Sequence, residues 1–150
     1  MYTRHESSRI RTNFWTSFGQ YMKPVPNTDG ERINWVNYKT GIKNIFFRMD
    51  AGKSHAAVSI ELHHPDLDVQ QEYFGRLAAL ESMLSDYAGA DWVWEKLITD
   101  EDGRRISRVK KQLGHVNVFD EKDWPAIISF LKAHIVGLDK FWSLVKYGFE

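Results

Sequence analysis

Residues 45–62, IFFRMDAGKSHAAVSIEL, decide how this chain folds. Residues 45–50 alternate, with Ile45, Phe47 and Met49 on one side and Phe46, Arg48 and Asp50 on the other. Residues 55–62 alternate again, placing Ala56, Val58, Ile60 and Leu62 on one side. Successive strand side chains point to opposite faces, so the two runs read as a hairpin with one buried face, turning over residues 51–54. Pairing Asp50 with His55 sets Met49, Phe47 and Ile45 beside Ala56, Val58 and Ile60, and the apolar faces coincide.

Upstream, Ser7 and Ser8 can cap a helix whose apolar positions, Ile10, Phe14, Trp15, Phe18, Tyr21 and Met22, recur at helical spacing. Residues 23–30, KPVPNTDG, read as a loop. Residues 33–38 are rich in aromatic and β-branched side chains and are expected to form a further strand. Downstream, Asp66 or Asp68 caps a helix with a stripe of Val69, Tyr73, Leu77, Leu80, Leu84 and Tyr87, which Gly89 ends. Residues 92–99 and 104–113 form a second hairpin around residues 100–103. Asp120 or Asp123 starts the last helix, with Pro125 in or near its first turn. The order α-β-β-β-α-β-β-α implies an α+β fold, with an antiparallel sheet of about five strands packed by three helices.

The length of 150 residues suits one domain spanning 1–150. There is no cysteine, so disulfides, thiolate metal sites and a cysteine nucleophile are excluded. No segment has the pattern of a signal peptide or a spanning helix, which makes the cytoplasm the expected location and a membrane partner unexpected. Twenty basic and twenty acidic residues cancel. Coating of nucleic acid through global charge is thereby disfavoured, whereas a local basic patch is not.

Several chemical motifs can be weighed against plainer readings. Gly52-Lys53-Ser54 copies the end of a phosphate-binding loop, but Phe47 stands where the motif needs glycine, and a strand follows instead of a helix. It reads as a turn. Asp50, Glu61 and His63 resemble a worn magnesium nuclease site, yet the register above separates Asp50 from Glu61 by six strand positions, roughly 20 Å. Glu61, His63, His64 and Asp66 could ligate a metal, but His64-Pro65-Asp66 also suits a strand-to-helix corner with a cap. The seam Trp124, Ile128, Leu131, Ile135, Leu138, Trp142 and Val145 reads either as the core face of the last helix or as a homodimer interface.

Two clusters are the candidate binding residues. Arg104, Arg108 and Lys110 share a strand face with Val93, Glu95 and Leu97, and clustered cations suit phosphate contacts. Lysine on an exposed strand also guards against edge-to-edge aggregation. Asn34, Asn37, Tyr38 and Lys39, with Trp35 and Thr40, form a polar and aromatic turn. No catalytic residue, metal ligand or cofactor is assigned.

Phe14-Trp15-Thr16-Ser17-Phe18, Asn34-Trp35-Val36-Asn37-Tyr38-Lys39-Thr40-Gly41, Phe47-Arg48-Met49-Asp50-Ala51, Ile60-Glu61-Leu62, Asp123-Trp124-Pro125 and Leu138-Asp139-Lys140-Phe141-Trp142 run along nearly the whole chain. Together they resemble a bacterial family known as Domain of Unknown Function 4268. The resemblance implies a stand-alone bacterial member, in a neighbourhood of restriction or nucleic-acid processing. Relatives also occur as the C-terminal part of longer proteins, some with nuclease-like regions ahead of them. It carries over no catalytic residue. The expected function is a non-catalytic binding or accessory domain in nucleic-acid or defence-related biology, with nucleic acid or a protein as its partner. A divergent magnesium-dependent nuclease and a homodimeric scaffold are the alternatives.

Overall fold

Ile45–Ala51 (β1) and His55–Leu62 (β2) form the expected hairpin in the computed structural model, which describes residues 2–150. Its register differs from the expected one. Ala51 pairs with Ala56, Met49 with Val58, Phe47 with Ile60 and Ile45 with Leu62, around a two-residue loop of Lys53 and Ser54. The Gly52 N–H donates to the His55 carbonyl at 2.8 Å and closes the turn. Two-residue loops are the commonest hairpin connections. The slip is by two residues, so every side chain keeps its face, and the apolar pattern alone cannot distinguish the two registers.

Val93–Thr99 (β3) and Arg105–Gly114 (β4) complete one antiparallel sheet of order β1-β2-β4-β3. The sheet therefore has four strands, not five. Residues 33–38 form no strand, and an isolated bridge between Pro26 and Arg32 precedes them. Its side chains are used to dock the loop instead. The Trp35 Nε1–H donates to the Val25 carbonyl, and the Tyr38 hydroxyl donates to Asp139 at 2.5 Å.

The helices are Arg4–Met22 (α1), Leu67–Ala79 (α2), Glu81–Ala88 (α3) and Trp124–Val145 (α4). α1 starts before the expected serine caps: Thr3 caps it and shares a capping box with Glu6. The expected single helix after β2 is two, broken at Leu80. The break lets α2 lie on β2 and β4 while α3 turns against α4. Gly137 in α4 makes that last contact feasible. A Cβ there would lie 2.4 Å from the Tyr87 carbonyl oxygen and 2.9 Å from Ala88 Cα. Both candidate acids serve the start of α4. Asp120 caps a short 3₁₀ turn, Glu121–Asp123, and the Asp123 carboxylate accepts from the Asn117 N–H.

α4 crosses β1 and β2 and buries Ile127, Leu131, Ile135, Leu138, Phe141 and Trp142. Five residues of the heptad-like seam, Leu131 to Val145, are buried inside the chain, and Trp124 and Ile128 pack against the same cluster. The seam is thus the core face of its helix. An aromatic series runs through the core: Tyr38 stacks on Phe47, Phe47 meets Trp142 edge-on, and Phe149 bridges Trp142 and Tyr73. Among the described residues, no helix is long and apolar enough to cross a membrane.

A charged cavity on the helix-free face of the sheet

Ile45, Phe47, Val58, Ile60 and Val109 point into the hydrophobic cluster under the helices. The alternate residues form the other face: Phe46, Arg48 and Asp50 on β1, Ala57, Ser59 and Glu61 on β2, and Arg108 and Lys110 on β4. Ala57, Ser59 and Ile106 are buried there, although Ala57 and Ile106 lie outside the main cluster. Ala57 and Ser59 form a small floor under longer polar side chains. The β3–β4 tip adds Asp100, Glu101, Asp102 and Arg104 as one wall. The result is a cavity of about 290 Å³ lined by Arg48, Asp50, Ser59, Glu61, Arg108 and Lys110 together with that tip.

The three expected cations differ in state. Val93 pairs with Lys110 and Glu95 with Arg108, which places these four residues on one face as expected. A bulge between Glu95 and Ile98 then shifts the register, and Arg104 falls in the turn rather than on the strand. Arg104 contacts Asp100 at 3.2 Å and Asp102 at 3.1 Å, so its charge is balanced within its own loop. The Arg104 N–H, the Asp102 N–H and the Arg104 guanidinium hold the Asp100 carboxyl below the usual range, against partial desolvation. Arg108 donates to Glu95 at 2.8 Å. Lys110 forms no ion pair among the described residues, and neither does Arg48, whose guanidinium lies 4.5 Å from the centre of the Phe46 ring. Arg48 lines this cavity although it is not among the residues singled out from the sequence. Its alternation with Phe46 and Asp50 was the available signal, since it places Arg48 on the face opposite the core.

Glu61 sits at the cavity edge and accepts from His63 at 2.8 Å and from Ser59 at 3.3 Å. Burial pushes its pKa up, but the His63 hydrogen bond and charge, the Arg48 charge and the Ser59 hydroxyl together hold it below the usual glutamate value. Glu61 pairs across β1 with Phe46, and Asp50 pairs with Ala57. The two acids are thus four strand positions apart, roughly 13 Å along the strand. A magnesium ion binds oxygens at about 2 Å, and these carboxylates are turned to different partners, Glu61 to His63 and Asp50 to His55. No group of three or more His, Asp or Glu side chains is placed to hold a metal ion among the described residues. His64 and Asp66 form the corner reading: the Asp66 N–H donates to His64 Nδ1, and the Asp66 carboxylate caps α2.

The second candidate cluster lies elsewhere. Asn34, Asn37, Tyr38 and Lys39 line a hollow of about 280 Å³ with Asn27 and Ile33. Much of its polarity is structural. Asn34 accepts from the Val36 and Asn37 N–H groups, and Asp139 accepts from Tyr38 and from both the N–H and hydroxyl of Thr28. Burial and then the Asp139 contact push the Tyr38 hydroxyl well above the usual tyrosine pKa. Lys39 remains exposed. The sequence thus brings Arg108 and Lys110 to one cavity and the asparagine cluster to another.

No curated protein and no solved structure matches this chain. Residues 10–146 match the family model described as Domain of unknown function (DUF4268). With nearly the whole chain covered, the protein belongs to that family.

Proposed function

We propose that the chain is a non-catalytic binding module, and that its ligand surface is the helix-free face of the sheet. The ligand it fits is the backbone of single-stranded nucleic acid. The observation that carries this reading is the pair Arg48 and Lys110. Both line one cavity over a buried floor of Ala57 and Ser59, and neither has an ion-pair partner among the described residues. Cations held without partners are suited to phosphate oxygens. Phe46, beside Arg48 on the same face, has the Arg48 guanidinium over its ring and His63 tilted against it, so an unpaired base stacks there only by displacing Arg48. The nuclease alternative has less support, because the two carboxylates it needs do not converge.

Salt dependence tests the proposal. Arg104 and Arg108 are already neutralised, so two cations remain rather than the three that the strand alone suggests. Binding of a single-stranded DNA oligonucleotide should be weak, with a log–log salt slope near −1.4, at about 0.7 counterion per phosphate. Changing Arg48→Ala and Lys110→Ala together should flatten that slope, whereas Arg104→Ala should leave it unchanged. Retention of the full slope in the double variant, or no wild-type binding at low salt, would contradict the proposal.

A further inference from the structure

An unpaired strand edge carries a second inference. β1 and β3 are the outer strands of the sheet. In an antiparallel pair, alternate residues direct their N–H and C=O groups to the partner and the others direct theirs away. The His63 N–H donates to Asn44, and the Gly52 N–H donates to His55. The even-numbered residues of β1 therefore face β2, and Ile45, Phe47, Met49 and Ala51 face outward. Ile45 is satisfied locally, since its N–H donates to Ile42 and its carbonyl accepts from the Thr40 hydroxyl. At the far end the strand gives way to the turn, where the Val118 N–H donates to the Gly52 carbonyl. Between these ends the N–H and C=O groups of Phe47 and Met49 have no hydrogen-bond partner among the described residues.

Backbone groups shut away from water are almost always paired, so this edge is one that water or another chain must satisfy. A hollow of about 390 Å³ runs beside it, between Ile45, Phe46 and Arg48 on one side and residues 37–43 on the other. Its rim carries Lys39, Lys43 and Arg48, none in an ion pair among the described residues. The other edge is guarded. β3 has the Glu95–Ile98 bulge, a left-handed Leu97 at φ 51° and an exposed Lys96, the devices that discourage strand addition. β1 has no bulge, proline or residue of positive φ.

We infer that the β1 edge receives an extended, acidic peptide segment of a partner protein as an added strand. Backbone hydrogen bonds to Phe47 and Met49 hold the segment, and Lys39, Lys43 and Arg48 select negative side chains. The edge shares Arg48 with the cavity around Lys110, whereas Lys39 and Lys43 lie outside that cavity, so substitutions at these two lysines separate peptide binding at the edge from nucleic-acid binding on the open face.

The test uses the full chain and a blocked peptide of alternating glutamate and valine, about six residues long, an ordinary strand length. In amide hydrogen exchange read by NMR, Phe47 and Met49 should exchange quickly in the free protein and slow when the peptide is added. The same peptide N-methylated at alternate residues, on the edge that meets β1, should not bind. A lysine-for-glutamate peptide should bind more weakly, and Lys39→Glu with Lys43→Glu should weaken the acidic peptide by roughly fivefold or more. The inference is overturned by protection of both amides before any peptide is added, by undiminished binding of the N-methylated peptide, or by no binding at millimolar peptide. Protection of these amides by single-stranded DNA and not by peptide would also overturn it.

Discussion

The two faces of the sheet are built from alternate residues of the same strands, yet they follow different rules. On the covered face Val58, Ile60 and Val109 are fully buried against α4 and its neighbours. One residue along, Ser59, Glu61, Arg108 and Lys110 face a cavity that no helix covers. Packing leaves little choice on the first face, because a close-packed core registers every methylene. The second face contributes little burial. Its side chains are free to be chosen for charge, and the partly exposed Arg108–Glu95 pair is weakly stabilising. The comparison separates residues that make the fold from residues available for function.

Substitutions should reproduce that division. The largest effect is expected at Leu131, which is fully buried at the centre of α4. Leu131→Ala should cost roughly 2–5 kcal/mol in denaturant unfolding. An unchanged midpoint would remove α4 from the core. Gly137→Ala comes next. Alanine normally favours a helix over glycine by about 1 kcal/mol, but here the new methyl meets the backbone of α3. Destabilisation of about 1–3 kcal/mol is expected, and any stabilisation would show that the two helices do not approach so closely. Gly75, exposed on α2 with nothing near its added Cβ, is the control. Gly75→Ala should stabilise by about 0.5–1 kcal/mol.

Tyr38 extends the comparison to the docked loop. Its folded pKa is raised, while the unfolded chain titrates at about 10. The unfolded state therefore releases its proton first. The stability this contributes is complete below pH 10 and declines as pH rises beyond it. Thermal melts across that range should show a steeper loss for the wild type than for Tyr38→Phe. Parallel curves would mean that the hydroxyl is not buried beside Asp139. The smallest effect belongs to the open face: Lys110→Ala should alter stability by no more than about 0.5 kcal/mol.

Much of this division was legible in the alternation of residues 45–62 and in the helical stripe of α4. What escaped the sequence follows from degeneracy or from tertiary contacts. Two registers of the first hairpin keep the same apolar face, so the pattern could not select Ala51 with Ala56 over Asp50 with His55. Residues 33–38 have strand-forming composition, but Trp35 and Tyr38 gain partners at Val25 and Asp139 that only the folded chain supplies. The break at Leu80 has no glycine or proline to announce it. It reflects the different surfaces that α2 and α3 cover. At the cavity, Arg108 and Lys110 were visible as a basic strand. The neutralisation of Arg104 by Asp100 and Asp102, and the arrival of Arg48 from β1, depend on turn geometry and sheet order.

The most direct measurement is a map of backbone amide shifts as a single-stranded DNA oligonucleotide is titrated into the isotope-labelled protein at low salt. If the helix-free face is the ligand surface, the largest shifts will fall on Phe46, Arg48, Ser59, Arg108 and Lys110, while Leu131, Ile135 and Leu138 stay unmoved. Shifts concentrated on the helical layer, or no shifts at any oligonucleotide concentration, would contradict the assignment of function to that face.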